Sequence, residues 1–140
     1  MATKAGYEGL LYCGTAGTTA TTLLQNVEDL NYDNDVEKIP ISTRGDGTAV
    51  PIKAEKAVEI GATISWGMLL KTADTNMLNL IALARAGTPV ALRTKSFSTG
   101  KGYDGDAVLT VSHEMTLKGQ SKFNFTATPN DELRVTRLDV

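Results

Sequence analysis

One cysteine, one histidine and one tryptophan stand in the 140 residues, and the scarcity of each closes a class of chemistry. Cys13 alone cannot form a disulfide within one copy, nor supply the several thiolates of a structural zinc site, and it fits a reducing cytosol. His113 alone offers no pair of ligands at metal-binding spacing. A Ser-His-Asp arrangement built on it has no G-x-S-x-G elbow to identify a nucleophile. Aromatics make up 6%, and Tyr103 is the one that stands clearly in a loop, which is meagre for a carbohydrate- or protein-binding sandwich. Charge of either sign is also short: 14 Lys and Arg against 16 Asp and Glu give a net charge of -2, a weak pull on phosphate that argues against tight DNA binding. No apolar run approaches the roughly 20 residues that span a bilayer, and the opening Met-Ala-Thr-Lys lacks the regions of a secretory signal. No membrane, metal, cofactor or catalytic residue is therefore expected, and the chain is not expected to be an enzyme.

What remains is enough to fold. A hydrophobic fraction of 41% and a charged fraction of 21% suit one hydrophobic core, so residues 1–140 are expected to form a single domain. Two-residue alternation is the dominant signal. Over residues 56–66, Val58, Ile60, Ala62, Ile64 and Trp66 alternate with Glu59, Gly61, Thr63 and Ser65, which predicts a strand with the first set in the core. Over 108–117, Leu109, Val111, His113, Met115 and Leu117 alternate with Thr110, Ser112, Glu114 and Thr116. After the turn signal Lys118-Gly119-Gln120, Phe123, Phe125 and Ala127 alternate with Lys122, Asn124, Thr126 and Thr128, closing an antiparallel hairpin.

Shorter strands are expected at 9–13, 23–30, around Val36 to Ile41, and at 88–94. A mobile loop is expected from Arg44 to about Lys53, and a flexible excursion over 96–106, where glycines stand at 100, 102 and 105. One segment reads as helix: Asp74 can cap it, Met77, Leu78, Leu80, Ile81 and Ala84 share a side, and Gly87 and Pro89 stop it. The expected architecture is mainly β, an antiparallel β-sandwich or barrel with one flanking α-helix.

Each apparent motif loses to a plainer reading. Gly100-Lys101-Gly102-Tyr103-Asp104-Gly105 has dinucleotide-fingerprint spacing, but a β-alternating stretch follows it where a helix is required to receive phosphate. Asp33, Asp35 and Glu37 align on one strand face without the glycine and terminal glutamate of a calcium loop. Arg44-Gly45-Asp46 and Asn124-Phe125-Thr126 spell an integrin tripeptide and a glycosylation sequon, both meaningful only outside the cell.

The order of segments resembles phage tail tube proteins. Leu11-Tyr12-Cys13-Gly14, the small residues through Thr22, and Leu23-Leu24-Gln25-Asn26-Val27 are similar to the opening of such subunits. The likeness continues through Ile41-Ser42-Thr43-Arg44, the strand ending in Trp66, the helix before Pro89-Val90-Ala91-Leu92, and the closing Phe123-Asn124-Phe125-Thr126-Ala127-Thr128-Pro129. Residues 67–73 are longer than that pattern has between strand and helix.

The resemblance implies a virion structural protein, assembled in the host cytoplasm, that forms rings of six copies. Neighbouring sheets would join into one inner barrel, and rings would stack into a hollow tail tube that passes DNA without binding it. A tail sheath, a tape measure protein and a tail terminator are the further partners it implies. On this reading Glu59, Thr63, Ser65, Thr110, Ser112, Glu114 and Thr116 are candidates to face the lumen, because a conduit should not grip phosphate. Arg44, Asp46, Lys53, Arg134 and Arg137 are candidates for contacts between rings. The tube of a phage-derived injection or secretion device shares those features, and a β-sandwich ligand-binding module is the alternative outside that class.

Overall fold

The computed structural model describes residues 3, 6–41, 43–44, 51–52, 54–115 and 117–140. The chain divides into two compact units, Met1–Tyr32 with Thr63–Val140, and Asp33–Ala62. In chain order, a 3-10 turn at Gly6–Glu8 leads into β1 (Leu10–Thr15), β2 (Thr22–Leu23), β3 (Val27–Pro40), β4 (Thr43–Arg44), β5 (Pro51–Ile52), β6 (Glu55–Leu69), α1 (Thr75–Ala86), β7 (Val90–Lys95), β8 (Asp104–Glu114) and β9 (Lys122–Pro129). Seven of the strands make one sheet in the order β2-β1-β7-β8-β9-β6-β3. Its pairings β1–β2, β1–β7, β7–β8, β8–β9 and β6–β9 are antiparallel. The fold is mainly β with one helix, the class that the alternation predicts.

The first unit holds the core. Directly paired residues share a face of a sheet, so the register fixes which side chains meet. Ile64 pairs with Ala127, Trp66 with Phe125 and Met68 with Phe123, while Leu109 pairs with the same Ala127 and Val111 with the same Phe125. Trp66 and Phe125 are stacked with centroids 5.1 Å apart and ring planes at 13°. Helix α1 packs against β8 and buries Met77, Leu80 and Ile81. Each such fully buried side chain contributes on the order of 1.5–3 kcal/mol.

The caps of α1 are the expected ones. The Asp74 carboxylate accepts from Met77 N, and Gly87 at φ 72° takes the left-handed turn, donating to Leu83 O and Ala84 O. Leu78, expected on the packed side, is exposed.

Several expectations are corrected. The strand expected over 23–30 is broken at Asn26, whose φ of 66° is left-handed, and whose side-chain amide donates to Leu69 O at 2.8 Å. Beyond it the two expected strands are one, β3. Strand β8 starts at Asp104 and stops at Glu114, so Met115 and Leu117 are not core residues; Leu117 is 97% exposed.

Residues 102–106 are buried and are no flexible excursion. A Cβ on Gly102 would land on the Thr94 carbonyl and hydroxyl, and one on Gly105 would approach Thr136 Cα to 3.1 Å. These glycines serve close packing instead of freedom.

The second unit is described by itself. It contains parts of β3 and β6 and the β4–β5 ladder, in which Thr43 pairs with Ile52 and Arg44 with Pro51. Val58 and Ile60, expected in the core, are 50% and 61% exposed, and Val36, Ile39 and Ile41 are exposed too. Alternation marks a strand, but a face is buried only where another layer covers it, and none does so here among the described residues. The rest of the expected loop around β4 and β5 lies outside the described residues.

Candidate assembly surface

The register that builds the core also builds its reverse. Thr110 pairs with Thr126, and Thr126 with Ser65; Ser112 pairs with Asn124, and Asn124 with Gly67; Val108 pairs with Thr128. Alternation places these residues on the side of β8, β9 and β6 away from Leu109, Phe125 and Trp66. Thr110, Ser112, Thr126 and Thr128 are exposed, and Ser65, Asn124 and Thr63 half-buried. Every polar group in these rows is neutral and small. Charge bounds these rows at both ends: Glu114 pairs with Lys122, whose ammonium also lies 3.6 Å from Glu28 and 3.8 Å from Asp29, and before Val108 the same side of β8 carries Asp106 and Asp104.

Five of the seven residues expected to face a lumen thus share one surface: Thr63, Ser65, Thr110, Ser112 and Glu114. Glu59 is exposed in the second unit. Thr116 lies outside the described residues. Sequence reasoning named the polar side of β6 and β8 but left out Asn124, Thr126 and Thr128 of β9, the strand between them. The signal was present, since those residues alternate with Phe123, Phe125 and Ala127.

Of the residues expected to join rings, Asp46 and Lys53 lie outside the described residues, and Arg44 is placed in β4. Arg134 and Arg137 bind within the chain. Arg134 Nη2 and Arg137 Nη2 both donate to the Asp104 carboxylate, the latter at 2.8 Å, and Arg93 Nη1 lies 4.0 Å from it. Burial alone would push the Asp104 pKa up; hydrogen bonds and charge from Arg134 and Arg137 more than reverse this and hold it below the usual carboxylate value. The Asp106 carboxylate beside it accepts from Gly17 N at 2.9 and 3.1 Å, fixing the turn after β1. No local pattern announces the hydrogen bonds to Asp104 and Asp106, which join residues 30 to 89 positions apart.

Catalytic alternatives find little here. His113 shares a hydrogen bond with Ser121 Oγ and stacks on Phe123 at 4.0 Å between ring centroids. A groove between α1 and β1 is lined by Cys13, Thr15, Leu80, Leu83, Val90 and Leu133 among others, with no acidic, basic or imidazole side chain in its lining. Burial, then the charge of Asp74, pushes the Cys13 thiol pKa up, away from the reactive thiolate. Among the described residues no group of three or more His, Cys, Asp or Glu could hold a metal ion, and no helix is long and apolar enough to cross a membrane.

The chain superposes over 99% of its length on the whole of a chain from the tail of an empty gene transfer agent particle, refined helically with C6 symmetry, at TM-score 0.75 and 12% identity. The two chains share one fold. A chain from the virion of a native gene transfer agent particle matches with TM-score 0.72 and 10% identity, over 99% of this chain and 100% of that one. By sequence, no family model and no curated protein matches. At these identities the likeness is one of fold, and the fold is the one that the resemblance to phage tail tube proteins implies.

Proposed function

We propose that the chain is a structural subunit of a phage-like tail, whose copies join edge to edge into rings of six that stack into a hollow tube. The observation that carries this reading is the neutral, small-residue face of β6, β9 and β8, set opposite a helix-covered face in a fold shared end to end with a tail component. A channel for DNA requires such a surface, since lysines and arginines there would release counterions from the duplex and arrest it. Residues Thr110, Ser112, Thr126 and Ser65 line the channel in this reading, and α1 lies outside.

The sheet ends in β2 and β3, and an open strand edge is a template for pairing with another chain. Joining the β3 edge of one copy to the β2 end of the next would satisfy both and close the ring. The apolar side chains left exposed on the second unit, Val36, Ile39, Val58 and Ile60, together with the segment around Arg44, Asp46 and Lys53, are the contacts assigned to the neighbouring ring. The tube's site is the virion tail. A tape measure protein inside it, a terminator at its end and, in a contractile tail, a sheath around it are the partners this places on the molecule.

Negative-stain microscopy of the concentrated purified protein tests the reading. Rings or hollow rods are expected. A protein that stays a single chain at every concentration, with no rods formed, refutes it.

A further inference from the structure

Strand β9 reaches β8 only from Ala107, which pairs with Pro129. Before that point β8 has β7 on one side, where Arg93 pairs with Asp104. The other side is filled by residues 130–140. Asn130 N donates to Asp106 O at 2.9 Å. Arg137 and Asp104 exchange backbone hydrogen bonds at 2.8 and 2.9 Å, and Val140 and Gly102 exchange them at 3.0 and 3.3 Å. Backbone pairing of this kind would serve any extended segment equally well, so it does not select this one.

Apolar anchoring is thin, because Leu133 and Val135 are largely exposed and Leu138 is only half-buried. What distinguishes the segment is charge. Asp104 is 0% exposed, and its two carboxylate oxygens are taken by Arg134 and Arg137. The second arm of Arg134 donates to Thr19 Oγ1 at 3.1 Å. The other charged groups nearby are accounted for: Arg93 of β7 stands 4.0 Å from Asp104, Asp106 faces Gly17, and Asp131 accepts from Thr136.

We infer that residues 130–140 are a latched edge guard: Asp104 clamps Arg134 and Arg137 so that the leading edge of β8 is closed by its own chain and withheld from a second copy. The stretch of β8 before Ala107 is thereby removed from the edges open to pairing between copies. A buried carboxylate that must find two guanidiniums also fixes register, since another extended segment would leave it without both hydrogen-bonding partners and with only the longer contact to Arg93. The inference stands apart from the tail reading, because an unguarded edge is a hazard to any soluble sheet protein.

Hydrogen exchange tests it on the full chain, with Arg134→Gln/Arg137→Gln and Asp104→Asn as variants. The amides of Gly102, Asp104, Arg137 and Val140 should exchange about tenfold faster or more, because each lost bond was made to a charged group. Amides of Leu109 and Phe125 should keep their rates. At dilutions where the parent is a single chain, the variants should form dimers or larger species by light scattering.

If these variants lose the native circular dichroism, Arg137→Gln alone decides by the same measurements, since its side chain is half exposed. Unchanged exchange at Gly102 and Asp104 overturns the clamp. Faster exchange with no new association overturns the guard.

Discussion

Phe125→Ala sets the two faces of the central sheet against each other most sharply. Phe125 is buried in the middle strand of the sheet's packed region, paired with Val111 on one side and Trp66 on the other and stacked on the Trp66 indole. Truncation removes the transfer energy of the ring and leaves a cavity between two strands that hold their positions, a loss of about 3–5 kcal/mol. Unfolding entropy of about 2.1 cal/mol/K per residue gives roughly 0.3 kcal/mol/K for a chain of this size, so a 4 kcal/mol loss lowers Tm by about 13 °C. Thr126→Ala, one residue along the strand on the exposed side, should change stability by less than about 0.5 kcal/mol, or under about 2 °C.

Thermal unfolding by circular dichroism, with Trp66 fluorescence as a local reporter, measures both at dilutions where the protein is a single chain. Comparable losses for the two variants, or a near-neutral Phe125→Ala, would contradict the assignment of faces.

Gly102→Ala drives a methyl into the Thr94 carbonyl, which cannot rotate away, and should cost about 1–3 kcal/mol in denaturant unfolding, whereas Gly6→Ala, with open space at its Cβ, should be silent. In acid, the Asp104 pKa lies below its unfolded value, so its contribution is complete above that value and is lost as pH falls through the native one; Asp104→Asn should flatten the acid limb of a stability profile.

In alkali, burial foremost pushes Tyr103 up to about 12, with Asp131 and Asp106 adding to the rise and Thr136 and Arg134 opposing it. Its contribution is complete below the unfolded value near 10 and is lost as pH rises toward 12, so Tyr103→Phe should flatten the alkaline limb.

Signals that depend on neighbours along the chain were legible in the sequence. Asp74 and Gly87 bracket the helix as their chemistry requires, and alternation assigned the faces of β8 and β9 residue by residue. Three features were not legible, each for want of long-range information. Alternation over Val58 and Ile60 is the same whether or not a second layer lies above. The glycines at 102 and 105 look like loop residues until Thr94 and Thr136 are seen to crowd them. Arg134 and Arg137, expected at contacts between rings, are engaged by a carboxylate some 30 residues earlier. The candidate surface was half legible, because nothing local says that β9 sits between β8 and β6.

The central claim is that the neutral face of β6, β9 and β8 encloses a channel while α1 lies outside it. A helical reconstruction of the assembled protein measures this directly. The account predicts a hollow tube with Thr110, Ser112, Thr126 and Ser65 toward its axis and α1 toward its outer wall. A tube with α1 facing the axis, or an assembly with no central channel, would contradict it.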